Sequence, residues 1–276
     1  MTSCGSLKHP DLHIQGWDCI ASVYHEIILG PFMPEIRAAH QSGLCPNPLL
    51  SRFSQNKKAL KNKSIGDFGS GPGNALAYLR HVSIPPVLID YSPVSLEYAK
   101  KKAAIFDMEI KTKEKDLQEF CHKKSFDLIL NINALQPAKR EEVSIILKNM
   151  AQSLRSEGEI WLVTPSFEAL EHLIKQYEYI AGKTFGPLEG LCRTEKFIQD
   201  TGYDAQEKSS YFSQIKQKQC LHTLETLTQD IDKAGLKLKT LPDKIKYPHF
   251  ITSKKWGFYN NHAEPFWNWF LILGPA

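Results

Sequence analysis

The stretch from residue 64 to residue 164 alternates short apolar runs with segments whose apolar residues recur at helical spacing. Short apolar runs predict strands at 64–68, 87–90, 126–130 and 159–163, and a weaker strand is predicted at 109–113. The helical spacing predicts helices at 75–81, 93–106 and 143–154. Because strands and helices alternate, the strands are expected to be parallel and joined by right-handed crossovers. A ligand is then expected at the carboxyl ends of the strands.

Composition narrows the class of protein. The chain has 276 residues, of which 42% are hydrophobic and 23% are charged, as in an ordinary globular protein. The net charge is +4 and the basic residues form short, scattered clusters, which disfavours a nucleic-acid partner. Six cysteines contain no Cys-x-x-Cys pair, so we expect no metal site and reduced thiols in a cytoplasmic protein. No segment resembles a signal peptide or a membrane span, so no membrane association is expected.

The turn between the first predicted strand and helix reads Asp67-Phe68-Gly69-Ser70-Gly71-Pro72-Gly73-Asn74. Its glycines would let a ligand approach the backbone closely. A dinucleotide turn has glycine at the sixth position of its motif, where this chain has Asn74, and it receives a pyrophosphate. Asp67 would repel a pyrophosphate and attract a cation. The local charge therefore favours S-adenosylmethionine, which carries an ammonium and a sulfonium, over NAD.

Five motifs in order resemble those of class I S-adenosylmethionine-dependent methyltransferases. The first is Asp67-x-Gly69-x-Gly71-x-Gly73, and the others are Asp90-Tyr91, Asp116-Leu117, Phe126 to Asn131, and Leu154 to Glu159. The similarity is close over residues 60–165 and extends over 223–276 by pattern only. Phe68 and Ser156-Glu157 depart from the usual residues of the family, but neither change removes a cofactor contact.

The resemblance implies an α/β fold with a Rossmann-like doubly wound sheet, mostly parallel and with an antiparallel last strand. We expect four parts in the chain. They are an N-terminal helical cap (1–62), the cofactor-binding core (63–165), a helical lid insertion (166–222) and a completion of the core sheet (223–276).

The resemblance also implies the cofactor contacts. Asp67 and the glycine turn would hold the amino-acid end, Asp90 the ribose, and the residues after the second and third strands the adenine. The expected cofactor-binding residues are Asp67, Gly69, Ser70, Gly71, Gly73, Asp90, Tyr91, Asp116, Leu117 and Asn131. No metal is expected, and the product would be S-adenosylhomocysteine.

The acceptor is expected over the carboxyl end of the fourth strand, at residues 131–136. The Asn/Asp-Pro-Pro-Tyr/Phe signature is absent there, which disfavours methylation of DNA adenine or glutamine. Asp127 is expected to be structural. The sequence does not identify the catalytic residues, for which Tyr24, His25 and His262 are candidates, His25 as a general base.

The expected activity is in-line methyl transfer onto an oxygen, nitrogen or carbon of a small aromatic or apolar molecule. Methylation of a protein or peptide, and cofactor binding without catalysis, remain alternatives. The sequence predicts no oligomeric state.

Overall fold

The computed structural model describes residues 17–23, 30–212, 217–248 and 265–276. Its main sheet has eight strands. They are β1 (Ile65–Phe68), β2 (Val87–Asp90), β3 (Lys111–Glu114), β4 (Phe126–Ile132), β5 (Leu154–Pro165), β8 (Leu236–Leu238), β9 (Asp243–Lys246) and β10 (Trp267–Pro275). A separate antiparallel pair consists of β6 (Ser209–Phe212) and β7 (Gln217–Cys220).

The main sheet has the order β3-β2-β1-β4-β5-β10-β8, and β9 also pairs with β10. Strands β1 to β5 are parallel, and β10 is antiparallel to β5. The α/β fold class with an antiparallel last strand is thus confirmed. The sheet order changes direction between β1 and β4, where ligands of such folds bind.

Nine α-helices surround the sheet within the described ranges. They are α1 (Pro34–Gln41), α2 (Pro48–Gln55), α3 (Lys57–Leu60), α4 (Leu76–Leu79), α5 (Pro93–Ile105), α6 (Arg140–Ser153), α7 (Phe167–Phe185), α8 (Pro187–Thr201) and α9 (Leu224–Lys233). A 3-10 turn spans Ala21–Val23. As the sequence predicts, α5 begins with Ser92 as its cap and Pro93 at its first position. No helix in the described ranges is long and apolar enough to cross a bilayer.

Apolar side chains cover both faces of the sheet. Ile129 packs with α6 and α9, whereas its neighbours Leu128 and Leu130 pack on the opposite side with α2 and α4. Because both faces are covered, β4 is buried along most of its length rather than at alternate positions. This explains why short apolar runs located the strands in the sequence.

The segment between β5 and α9 holds two helices and the β6–β7 pair. Helices α7 and α8 cross closely, since a Cβ atom on Gly190 would lie 2.6 Å from the Cα atom of Gly182. Ser166 and His222, at the two ends of the segment, form a parallel bridge. The sequence predicts that this segment is helical, but it does not predict the strand pair.

Candidate functional site

A cavity of about 560 Å³ lies at the carboxyl ends of β1, β2 and β4. This is the edge of the sheet where the sequence predicts a ligand. Its walls come from the turn after β1, the segments after β2, β3 and β4, the start of α6 and residues 30–32. Most of the predicted cofactor-binding residues line it, namely Asp67, Gly69, Ser70, Gly71, Asp90, Tyr91, Asp116 and Leu117.

Two predicted residues lie behind the wall of the cavity. Asn131 is fully buried, and its Nδ2 donates to the carbonyl of Phe68 over 2.9 Å. Gly73 has φ +71°, and a Cβ atom there would lie 3.0 Å from the Cβ of Ala99 in α5. Asn131 supports the glycine turn through its side chain, and the small size of Gly73 lets the turn pack closely against α5. The sequence motif contains them but does not distinguish supporting positions from lining positions.

The glycine turn is fixed to its neighbours at three points. The amides of Gly69 and Ser70 donate to the carbonyl of Ile89, over 2.7 and 3.1 Å. A Cβ atom on Gly69 would lie 2.2 Å from the Cβ of Ala134, so this turn and the loop after β4 touch. At Gly71, whose φ is +51°, a Cβ atom would meet no described atom within 4 Å. Only glycine combines this backbone conformation with an open approach to the peptide.

Ser70 contributes an unpaired polar atom to the cavity. The residue is 7% exposed, and its Oγ finds no hydrogen-bond partner among the described residues. Buried hydroxyls are normally paired, and leaving one unpaired is unfavourable. An oxygen atom of a ligand would satisfy it.

Two buried carboxylates face the same cavity. Oδ2 of Asp90 accepts from the amide of Gly71 over 2.8 Å, and Oδ1 accepts from the amide of Ser92 over 2.9 Å. Burial and, to a smaller extent, the charge of Asp18 raise the pKa of Asp90 to about 6, although the backbone hydrogen bonds lower it. Burial, and then the charge of Asp90, raise the pKa of Asp67 to about 7. A cationic ligand would lower both pKa values, because it stabilises the charged carboxylates.

The residues after β2 and β3 form another wall of the cavity. Tyr91 and Leu117 line it, and Oδ1 of Asp116 accepts from the amide of Gln118 over 2.8 Å. Burial raises the pKa of Tyr91 well above its usual value, so its hydroxyl stays protonated. Tyr91 and Leu117, which the resemblance assigns to the adenine, therefore lie on the wall of this cavity.

The segment 17–23 packs on the same wall, and sequence reasoning assigned it no cofactor contact. Trp17 lines the cavity and hydrogen-bonds Tyr91. Ser92 Oγ donates to Oδ1 of Asp18 over 2.5 Å. Trp17 and Asp18 are visible in the sequence as an aromatic and an acidic residue before the core. Their contacts are with residues more than 70 positions away, so a local pattern does not reveal them. The candidate bases Tyr24, His25 and His262 lie outside the described residues.

The loop after β4 is held from both sides. Asn133 lines the cavity with φ +56°, and its Oδ1 accepts from Nδ2 of Asn268 in β10 over 2.9 Å. The same Nδ2 donates to the hydroxyl of Tyr247 over 2.8 Å. A buried asparagine in the left-handed region is strained, and such strain is found at functional sites.

His222 holds the other side of this loop. Its Nε2 lies 2.8 Å from the carbonyl of Leu135, and its Nδ1 lies 2.7 Å from Nη1 of Arg140, which pairs with Asp230. Burial, and then the charge of Arg140, lower the pKa of His222 to about 4. The imidazole is therefore neutral, with Nε2–H donating and Nδ1 accepting. The loop that lines the expected acceptor side is thus tied to the insertion, which the sequence did not indicate.

Asp127 lies away from the cavity. Its Oδ2 accepts from the amide of Ser64 over 2.8 Å and from Nη1 of Arg155 over 2.9 Å. These contacts fit the structural role that the sequence predicts for it. Across the described ranges, no group of three His, Cys, Asp or Glu residues is arranged to hold a metal ion.

Comparison with known proteins bears on the core of the chain. Residues 65–158 match a family described as methyltransferase domain. Over these residues the chain is similar to methyltransferase domains, in agreement with the resemblance that its motifs indicate. An uncharacterized methyltransferase of Bacillus subtilis, YodH, is 28% identical over 118 residues. That match covers 41% of this chain and 49% of the relative, so it spans about half of the relative's length.

Solved structures share the fold of this chain. A Burkholderia thailandensis N1-methyltransferase, bound to 1,6-didemethyltoxoflavin and S-adenosylhomocysteine, superposes with a TM-score of 0.58 at 11% identity. It covers 100% of this chain and 93% of its own. The magnesium protoporphyrin IX methyltransferase of Synechocystis, with bound S-adenosylhomocysteine, has a TM-score of 0.56 at 13% identity. It covers 95% of this chain and 94% of its own.

Proposed function

We propose that this protein transfers the methyl group of S-adenosylmethionine to a small molecule, by in-line displacement onto an oxygen, nitrogen or carbon atom. The observation that carries the proposal is the pair of buried carboxylates, Asp67 and Asp90, on a cavity behind a glycine turn. The two neighbours with bound S-adenosylhomocysteine and the methyltransferase family match support it.

The residues present fit this cofactor. Asp67 supplies a buried negative charge for an ammonium group. Asp90 accepts backbone hydrogen bonds from Gly71, Ser92 and Tyr91, so its carboxylate keeps a lone pair for a ribose hydroxyl. Two buried carboxylates are unfavourable beside a pyrophosphate, which argues against NAD.

When bound, the cofactor supplies a methyl carbon that the sulfonium activates toward a nucleophile. The chain then has to hold the acceptor in line and exclude water, which is proximity and orientation work. The loop of residues 132–138 forms the acceptor wall in this proposal, and its attachment through Asn268 and His222 keeps that wall rigid. The apolar side chains of Trp17 and Phe32 line the same cavity and suit an aromatic or apolar acceptor.

Calorimetric titration with S-adenosylhomocysteine and with NADH tests the cofactor. Wild type should bind S-adenosylhomocysteine, and Asp90→Ala should weaken that binding about tenfold or more, which is about 1.4 kcal/mol. Asp127→Ala is the matched control, because it removes a carboxylate on the same sheet away from the cavity. Failure of wild type to bind, or preference for NADH, would contradict the proposal.

A methyl-transfer assay tests the acceptor class. Tritium-labelled S-adenosylmethionine is incubated with the protein and either a small-metabolite extract or a protein fraction. Label in a small product supports the proposal. Label only in protein would favour a protein methyltransferase, and cofactor binding without label in either fraction would favour a non-catalytic binding protein.

A further inference from the structure

Helix α8 lies on the outside of the molecule. Its buried residues are Gly190 and Thr194, and Gly190 faces the backbone of Gly182 in α7. Just beyond its end, a Cβ atom on Gly202 would lie 2.9 Å from the amide nitrogen of Tyr211 in β6. Helix α8 thus packs on α7 and, at its C-terminal end, on β6, which leaves the outer side of its N-terminal half exposed to solvent.

Four large apolar side chains are exposed where α7 meets α8. Leu188 is 81% exposed, and Leu191, which follows on the same side of α8, is half-exposed. Tyr179 and Phe185, in the last two turns of α7, are exposed as well. We call these four residues the junction patch. Exposed large apolar side chains in one region mark surfaces that bind another molecule, because burying them is favourable.

The charges around the junction patch are balanced. Residues 175–195 hold six charged side chains, all exposed, which are Lys175, Lys183, Arg193, Glu178, Glu189 and Glu195. The guanidinium of Arg193 lies 3.9 Å from the centre of the Phe185 ring, and its Nε donates to Oε1 of Glu189 over 2.8 Å. Membrane surfaces and nucleic acids are anionic and attract an excess of cations, so a surface with three charges of each sign suits neither.

A two-fold contact between identical molecules requires a surface that is complementary to itself. The junction patch meets this requirement, because apolar side chains can face apolar ones and each sign of charge has its opposite on the same surface. Tyrosine, phenylalanine and arginine are also enriched in such contacts. We propose that the junction patch binds a second copy of this chain, with Leu188 and Leu191 at the centre of the contact and the two α8 helices antiparallel across a two-fold axis.

This contact lies apart from the candidate functional site. Among the described residues that line the cavity, none belongs to the segment 167–221. The dimer contact therefore does not depend on the proposed function, and either proposal can fail while the other stands.

Sedimentation velocity over a wide range of protein concentrations tests the contact. Wild type should pass from monomer to dimer as the concentration rises. Leu188→Glu should raise the dissociation constant of the dimer at least about tenfold, since it replaces an apolar anchor with a charge that would be buried. Leu188→Met should keep the dimer, because methionine is apolar and similar in volume.

Leu241→Glu is the matched control for Leu188→Glu. Leu241 is 91% exposed in the turn between β8 and β9, so the same change at this position should leave the dimer as it is. Thermal unfolding in dilute solution should give Leu188→Glu the midpoint of wild type, because Leu188 is exposed in the monomer. A weaker dimer at an unchanged midpoint is a loss of the contact and not of the fold.

Three outcomes would overturn the proposal. Wild type could stay monomeric at every concentration, and if that monomer then cosedimented with phosphatidylglycerol vesicles while Leu188→Glu did not, the junction patch would bind a lipid surface instead. A dimer that both Leu188→Glu and Leu191→Glu leave intact would form through another surface. A dimer that Leu241→Glu weakens equally would show that the added charge, and not its place, weakens association.

Discussion

The two ends of the sheet treat their acidic side chains in opposite ways. At the carboxyl end, burial raises the pKa of Asp67 and Asp90, and neither has an ion-pair partner among the described residues. At the amino end, Asp127 pairs with Arg155, while Glu159 pairs with Arg52, and hydrogen bonds lower the pKa of both acids despite burial. The acids of one end form ion pairs, whereas those of the other end have no ion-pair partner among the described residues. The end with the unpaired acids is the one to which the proposed function assigns the cofactor.

Asp67→Asn should have the largest effect on this comparison. The pKa of Asp67 is about 7 in the native state and about 3.8 in the unfolded chain, so the native state binds more protons than the unfolded state between these two pH values. Stability from this group is therefore present at low pH and is lost as pH rises through about 7. The substitution should raise the free energy of unfolding by up to about 4 kcal/mol above that pH, and by less in acid. Urea unfolding on both sides of neutrality measures it.

The same variant should lose affinity for S-adenosylhomocysteine, since the amide cannot neutralise an ammonium. Calorimetry provides this second measurement. In wild type the affinity should increase as pH rises through the Asp67 pKa, and in the variant this pH dependence should disappear. If the variant is no more stable than wild type and binds S-adenosylhomocysteine equally tightly, the two ends of the sheet do not differ as described.

Asp127→Asn should lower the free energy of unfolding, by a smaller amount than Asp67→Asn raises it. It removes the charge that accepts from the Ser64 amide and from Arg155, so the protein should lose about 1–2 kcal/mol at neutral pH. Because hydrogen bonds and Arg155 lower the pKa of Asp127, this contribution is present at neutral pH and fades as pH falls through the native pKa. Affinity for S-adenosylhomocysteine should stay unchanged. A large loss of affinity would show that the two ends are not independent.

Glu159→Gln should have the smallest effect. The carboxylate of Glu159 contacts Arg52, Lys239 and the indole N–H of Trp161, and it is partly exposed. Surface ion pairs contribute little, so we expect a loss of about 0.5–1 kcal/mol in urea unfolding. Added salt should shrink the difference between variant and wild type. If Glu159→Gln lowers the free energy of unfolding by as much as Asp67→Asn raises it, burial does not explain the difference between the two ends of the sheet.

The sequence predicts the core because its signals are local. Apolar runs bounded by turn residues located β1, β2, β4 and β5, and the glycine motif located the cavity. The sequence does not predict helix α8, because the buried positions of this helix are Gly190 and Thr194 rather than a stripe of apolar residues. The contacts of Asn268 and His222 join residues far apart in sequence, which no local pattern reveals. Asn131 shows the converse limit, since a motif residue can support a site without lining it.

The bridge between Ser166 and His222 has a consequence for how this chain can change over time. The excursion of residues 167–221 departs and returns at adjacent points, where the amide of Phe167 donates to the carbonyl of His222 over 2.9 Å. The entropy cost of closing such a segment grows only slowly with its length, so we expect the excursion to tolerate replacement. Exchanging it would change the support of the loop after β4, where the carbonyl of Pro137 accepts from the amide of Cys220 over 2.9 Å, while the register of β5 and β10 stays as it is.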